Sequence, residues 1–179
     1  MRVISGSARG LKLESLDGLS TRPTLDRVKE AIFSMLFDKT AGAAVLDLFA
    51  GSGAMGIEAL SRGADGCVFV DSSREAAAVV GRNLSKAGFE LKSVVRICSF
   101  DNFLQTCDKK FDLVFLDPPY RSDYLKKSLS LLHERHLLAQ GAVVVLEHDK
   151  NLPPEIPEGF ELVRRRSYGR VSVNILEET

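Results

Sequence analysis

Tryptophan is absent from the 179 residues, and histidine and cysteine occur three times each. The histidines, His133, His136 and His148, and the cysteines, Cys67, Cys98 and Cys107, form no Cys-x-x-Cys or clustered His/Cys pattern. That composition excludes a disulfide framework and gives no ligand set for a metal centre. The cysteines are expected to be reduced and buried, the histidines structural or on the surface, and the site free of metal. No apolar run approaches the roughly 20 residues needed to span a bilayer, and "MRVISGSARG" lacks the apolar centre of a secretory leader. A soluble, cytoplasmic protein with no membrane partner is the expectation. Lys plus Arg equal Asp plus Glu at 24 each, so net charge is zero. A uniformly basic coat for nucleic acid is thereby excluded, whereas local basic patches are not.

What is present is an ordered alternation. With 45% hydrophobic residues and 14 glycines, residues 1–179 suit one domain with a sizeable core. Residues 1–40 read as an extension. "RVISGSARGLKLESL" alternates loosely like a small hairpin, and "TLDRVKEAIFSML" places Leu25, Val28, Ile32 and Met35 on one helical stripe with Thr24 as its N-cap. From 41 to 179 the rhythm changes to apolar run, tight turn and helix. "AVLDLF", "CVFVD", "VVRIC", "FDLVFLD" and "AVVVLEHD" are continuous Val/Leu/Ile/Phe runs separated by helical stretches. Such runs mark strands covered on both faces, joined by right-handed crossovers. The prediction is a doubly wound α/β fold with a mostly parallel sheet. "GFELVRRRSYGRVSVNILEE" alternates about a Tyr-Gly turn and predicts a closing antiparallel hairpin.

In such sheets ligands bind beyond the carboxyl ends of the strands, where strand order reverses. The first strand ends in "LDLFAGSGAMG". Gly51 and Gly53 permit a sharp turn and close backbone approach. With Gly56 they satisfy Gly-x-Gly-x-x-Gly, and Asp71 closes the second strand where a dinucleotide fold keeps its ribose-gripping acid. A nicotinamide-dependent oxidoreductase is therefore one reading. Asp47 opposes it, since a carboxylate there repels a pyrophosphate and attracts an ammonium. S-adenosylmethionine, with an amino-acid tail and a ribose but no phosphates, suits both acids. Asp47 also reads as a cap for the following loop, and Asp71 as an acid favouring the next helix. After the third strand, Phe100 is a candidate ring for an adenine, with Ser99 or Asp101 at its amino edge.

The fourth strand, "FDLVFLDPPYRSD", ends on a carboxylate, two prolines and an aromatic ring. An exocyclic base amine is a poor nucleophile because its lone pair is spread into the ring. Asp117 and the Pro118 carbonyl can each accept one of its N–H groups and stabilise the charge that grows on nitrogen. Pro119 fixes the preceding residue in an extended conformation, which turns that carbonyl outward. Tyr120 offers a face on which an unstacked base can rest.

The Asp-Pro-Pro-Tyr run resembles the signature of class I S-adenosylmethionine-dependent methyltransferases that modify exocyclic amines. "MRVISGSARGLKL", "TRPTLDRVKEAIFSML" and "VLDLFAGSGAMGIEALSRGA" resemble the bacterial 16S ribosomal RNA guanine-N2 methyltransferase family. That resemblance implies a seven-stranded Rossmann-like sheet and methylation of guanine N2 in 16S rRNA, at the family's position 966, on a 30S subunit or assembly intermediate. It implies that Asp47, Gly51 and Gly53 meet the methionine part of the cofactor and Asp71 its ribose. Arg22 or Thr24 would lie near the cofactor's carboxylate, Ser99 and Phe100 at the adenine, and Asp117, Pro118, Pro119 and Tyr120 at the target guanine. Relatives carry an acid directly after the third strand, where this chain has Ser99. A DNA adenine-N6 methyltransferase is the nearest competing reading, and it lacks support from any added target-recognition domain. Arg2, Arg9 and Lys12, with Arg164, Arg165, Arg166 and Arg170, are candidate phosphate contacts or simply solvated charges.

Overall fold

The computed structural model describes residues 1–16, 23–119 and 123–179, with the side chains of residues 23–25 excepted. Its elements are α1 (Pro23–Leu36), β1 (Ala44–Asp47), α2 (Ala54–Ser61), β2 (Gly66–Asp71), α3 (Arg74–Ala87), β3 (Ser93–Ile97), α4 (Phe100–Thr106), β4 (Phe111–Leu116), α5 (Tyr124–Glu134), β5 (Leu138–Asp149), β6 (Phe160–Tyr168) and β7 (Val171–Glu178), with a 3-10 turn at Glu90–Lys92. One seven-stranded sheet runs in the order β3-β2-β1-β4-β5-β7-β6. β1 to β5 pair in parallel, and β7 runs antiparallel to both β5 and β6. The order reverses between β1 and β4, so the carboxyl ends of these two strands flank the crevice where doubly wound sheets hold their ligands.

Strand alternation sorts the core into two layers. Val45, Phe69, Leu113, Phe115, Val143 and Val145 face a cluster that includes Ile32 of α1, Ile57 of α2 and Val80 of α3. Leu46, Val70, Val114, Leu116, Val144 and Leu146 face the cluster holding Leu104 of α4 and Leu129 and Leu132 of α5. Both faces of each central strand are therefore covered, which explains the unbroken apolar runs. β6 at the sheet edge differs, since residues 161–167 are exposed without interruption.

Several local expectations change. The N-terminal segment forms only an isolated antiparallel bridge, Arg2 to Lys12, rather than a regular hairpin. α1 begins at Pro23, so Thr24 lies inside the helix and is not its N-cap; proline suits a first helical position because its missing N–H would be unpaired there. The buried stripe of α1 takes in Phe33 and Leu36 beside Val28 and Ile32, while Met35 is only half-buried. α5 stops at Glu134, with His136 beyond it at φ 52 in the left-handed region. Leu137 N–H reaches back to the Leu132 carbonyl at 3.0 Å, satisfying the helix end. Cys67 is buried, but Cys98 and Cys107 are only partly so. No helix among the described residues is long and apolar enough to cross a membrane.

Candidate active site

The glycine loop is held from three directions. Gly53 sits at φ 78, a left-handed conformation that a side chain would strain, immediately before α2. Asp47 lies beneath it, 4% exposed, and its Oδ2 accepts the Gly56 N–H at 3.0 Å. That N–H belongs to the first turn of α2 and has no partner within the helix. A Cβ at Gly56 would fall 2.3 Å from the Phe69 ring and 2.6 Å from Cys67 Sγ, so the third glycine is required for α2 to pack on β2. Asn83 of α3, fully buried, donates to the Ser52 carbonyl at 2.9 Å and exchanges hydrogen bonds of 2.8 and 3.0 Å with the backbone of Glu14. One side chain thus ties loop, helix and N-terminal extension together.

Asp71 braces the loop from β2. Its Oδ2 accepts the Gly51 N–H and its Oδ1 the Ser73 N–H, both at 2.9 Å. Each oxygen keeps further acceptor capacity for ligand hydroxyls.

A cavity of about 910 Å³ opens above these strand ends. Gly51, Asp71, Ser99 and Phe100 line it together with Asp117, Pro118 and Pro119. With Asp101, the structure therefore unites eight of the sequence-derived candidates on one surface. Asp47 and Gly53 stand behind the wall rather than in it. Arg22 and Tyr120 fall outside the described residues, as does the side chain of Thr24.

Phe49, Tyr124, Cys98 and Lys127 also line the cavity and were not foreseen. Phe49 stacks on Tyr124 with 5° between planes, and Phe100 packs within 4.8 Å of Tyr124. Lys127 Nζ lies 5.6 Å from the Phe100 ring centre and 2.9 Å from Asp101 Oδ2. The Ser99 hydroxyl and the Lys127 ammonium donate to Asp101 and hold its pKa down at about 2. Ser99 and Asp101 thus act as a pair after β3. Tyr124 and Lys127 are one helical turn apart just after the corner, a spacing visible in the sequence once that helix is taken to abut the cavity.

Electrostatically the site is crowded with acid. Burial raises the Asp47 pKa to about 7, opposed by the Gly56 hydrogen bond and reinforced by Asp71. Asp117 is also pushed well up, by the protein packed around it and then by Glu147 and Asp47. Its side chain nonetheless opens to solvent, and water there tempers the shift. Positive charge relieves like-charge crowding, so the donor set suits a cationic ligand and disfavours a pyrophosphate. Among the described residues no group of His, Cys, Asp and Glu is placed to hold a metal ion.

Comparison with known proteins agrees with this geometry. The family described as Conserved hypothetical protein 95 matches residues 1–177. The chain belongs to this family. Among its relatives, YlbH of Bacillus subtilis, a candidate rRNA methyltransferase, is 41% identical and covers 99% of both chains. The Ribosomal RNA small subunit methyltransferase D of Haemophilus influenzae is 36% identical across 99% of this chain and 93% of its own. The solved structure of yhhF from Escherichia coli, described as a methyltransferase candidate, superposes with a TM-score of 0.88 at 32% identity, covering 99% of this chain and 97% of its own. The sheet order and its C-terminal antiparallel hairpin are thus those of the class I methyltransferase fold. In this methyltransferase family member the Asp-Pro-Pro corner and the glycine loop open onto one cavity at the switch point.

Proposed function

We propose that this chain methylates the exocyclic N2 amine of a guanine in 16S ribosomal RNA, at the family's position 966, using S-adenosylmethionine. The observation that carries the reading is the shared cavity: Asp117, Pro118 and Pro119 face the same space as Gly51 and Asp71. When bound, S-adenosylmethionine supplies an electrophilic methyl group on a sulfonium. Asp71 accepts from its ribose hydroxyls while keeping Gly51 in place, and the glycine loop receives its methionine part above Asp47. Phe100, with Ser99 and Asp101, borders its adenine. Beside a bound sulfonium, Asp117 would be held towards its ionised form. Asp117 and the Pro118 carbonyl then accept the two N–H groups of the amine, favour a pyramidal nitrogen and stabilise the charge developing on it. The proton is lost after transfer, so no strong base is required.

The names of the relatives support RNA as substrate. We infer that a cytoplasmic 30S subunit or assembly intermediate presents the base, a reading supported by the small-subunit RNA named for two of the relatives. Tritiated methyl transfer to 30S subunits from a strain lacking the enzyme, followed by nucleoside analysis, tests the reading. N2-methylguanosine in 16S rRNA is expected; N6-methyladenine, or binding of NAD in place of S-adenosylhomocysteine, would overturn it.

A further inference from the structure

A second cavity, of about 800 Å³, lies against the same Pro118–Pro119 corner. Pro118, Pro119, Pro153, Pro154, Leu125 and Leu152 give it apolar walls, and Lys126 and Glu155, ion-paired at 2.8 Å, connect α5 with the proline-rich loop beside it. His148 belongs to its lining and is 3% exposed. Its Nδ1 lies 2.9 Å from the Asp149 carbonyl. A carbonyl only accepts, so Nδ1 carries the proton, and in the neutral ring the lone pair is on Nε2. Nε2 has no hydrogen-bond partner among the described residues.

Asp123 and Asn151 complete the lining, and apolar walls beside a buried, unanswered acceptor fit a flat group with an N–H on its edge. A phosphate, itself an acceptor, does not match. Asp117 lines the first cavity and not this one, whereas His148 lines this one and not the first, with Pro118 and Pro119 shared between them. Beyond the strand end, the Lys150 N–H donates to the Arg170 carbonyl at 2.8 Å, and the Arg170 side chain, 88% exposed, pairs with Asp149 at 3.9 Å.

We propose that this cavity takes the nucleobase adjoining the target in the RNA, with a base N–H donated to His148 Nε2 and the Pro118–Pro119 corner wedged between the two consecutive bases. The proposal rests on the guanine-N2 reading of the neighbouring site. With only three histidines in the chain, imidazole carbon–proton NMR of the whole protein, with S-adenosylhomocysteine present, separates their signals. Titration with the dinucleotide GpG should move the His148 signal and leave His133 and His136 in place. Ribose 5-phosphate should move none. No His148 shift with GpG, an equal shift with ribose 5-phosphate, or a shift only with a proline-rich peptide would overturn the proposal.

Kinetics give a second measurement. His148→Phe should raise KM for 30S subunits about tenfold with kcat and S-adenosylhomocysteine affinity little changed, and His148→Gln, which keeps an acceptor, should restore much of the loss. Should the Phe variant fail to fold, Leu152→Trp at an exposed position should fill the cavity and raise KM similarly. Unchanged KM in folded variants, while the wild type still forms N2-methylguanosine, would sink this site and leave the proposed function standing. A wild type that forms no N2-methylguanosine sinks the function instead.

Discussion

Two acidic clusters on the same protein, one buried and one opening to solvent, are built in opposite ways. Around Glu58, fully buried on α2, every demand is met. The backbone N–H groups of Ile4 and Ser5 donate at 2.8 and 3.0 Å, Arg62 Nε at 2.8 Å, and Lys29 Nζ stands 3.2 Å away, itself only 2% exposed. Around Asp117 the neighbouring charges that shift its pKa are acids, Glu147 and Asp47. The first cluster pins the N-terminal extension to the sheet's helices. The second sets Asp117 among acids that push its pKa up, at the strand end where we propose that a sulfonium is held. Satisfied polar groups specify structure, whereas like charges gathered at a strand end are candidates for function.

Substitutions can break this contrast. Asp117→Ala should lower turnover by about 100- to 1,000-fold, leave S-adenosylhomocysteine binding near normal in calorimetry, and leave the melting temperature unchanged or raised. Retained activity would remove the assigned chemistry. Glu58→Ala should do the reverse, costing about 3–5 kcal/mol because Lys29 is left buried without its partner; thermal melts would show a drop of roughly 10 °C. If both variants destabilised alike, the contrast would be false.

Asp47 sharpens it further. Its pKa of about 7, against an ordinary value of 3.8, means that the folded chain keeps a proton which the unfolded chain loses above pH 4. Its contribution to stability therefore falls as pH rises from about 4 to about 7. Asp47→Asn keeps an oxygen for the Gly56 N–H and removes this dependence. Its stability relative to the parent should improve between pH 5 and pH 8, by an amount on the order of 1–3 kcal/mol; parallel melting curves at both pH values would refute the assignment. The smallest effect is expected for Asp71→Ala, about tenfold weaker cofactor binding with turnover at saturation less affected. That is measurable by titration with S-adenosylhomocysteine.

The fold was legible because apolar periodicity reports burial on two faces, and five of the strands announced themselves by unbroken runs. The start of β5 at Leu138 was not, because "LAQG" carries no such run and joins the strand through an irregular register with β4. The glycine loop and the Asp-Pro-Pro corner were legible because their chemistry is local in sequence. Asn83 and Glu58 were not. Each looks like an ordinary helical polar residue, and their importance comes from segments about 69 and 53 residues distant that fold back onto them. Asp47 stood out in the sequence as a candidate acid, but only three-dimensional packing reveals that it supports the loop from below. The arginines of the last hairpin are candidate phosphate contacts or solvated charges in sequence, and which sides they take is not visible there. Pairing splits them, with Arg164 and Arg166 opposite Ile175 and Val173 and Arg165 opposite Asn174, where its Nε donates at 3.1 Å.

β6 leaves one ladder of backbone groups unpaired at the border of the sheet, and that margin carries Leu162 and Val163 in the open. Left flat and apolar, it would invite another chain to extend the sheet. The register slip between Leu162 and Arg164 distorts the ladder just there, and three consecutive guanidinium groups follow it. Repulsion between like-charged margins opposes such pairing, so solubility at high concentration should depend on those arginines even where catalysis does not.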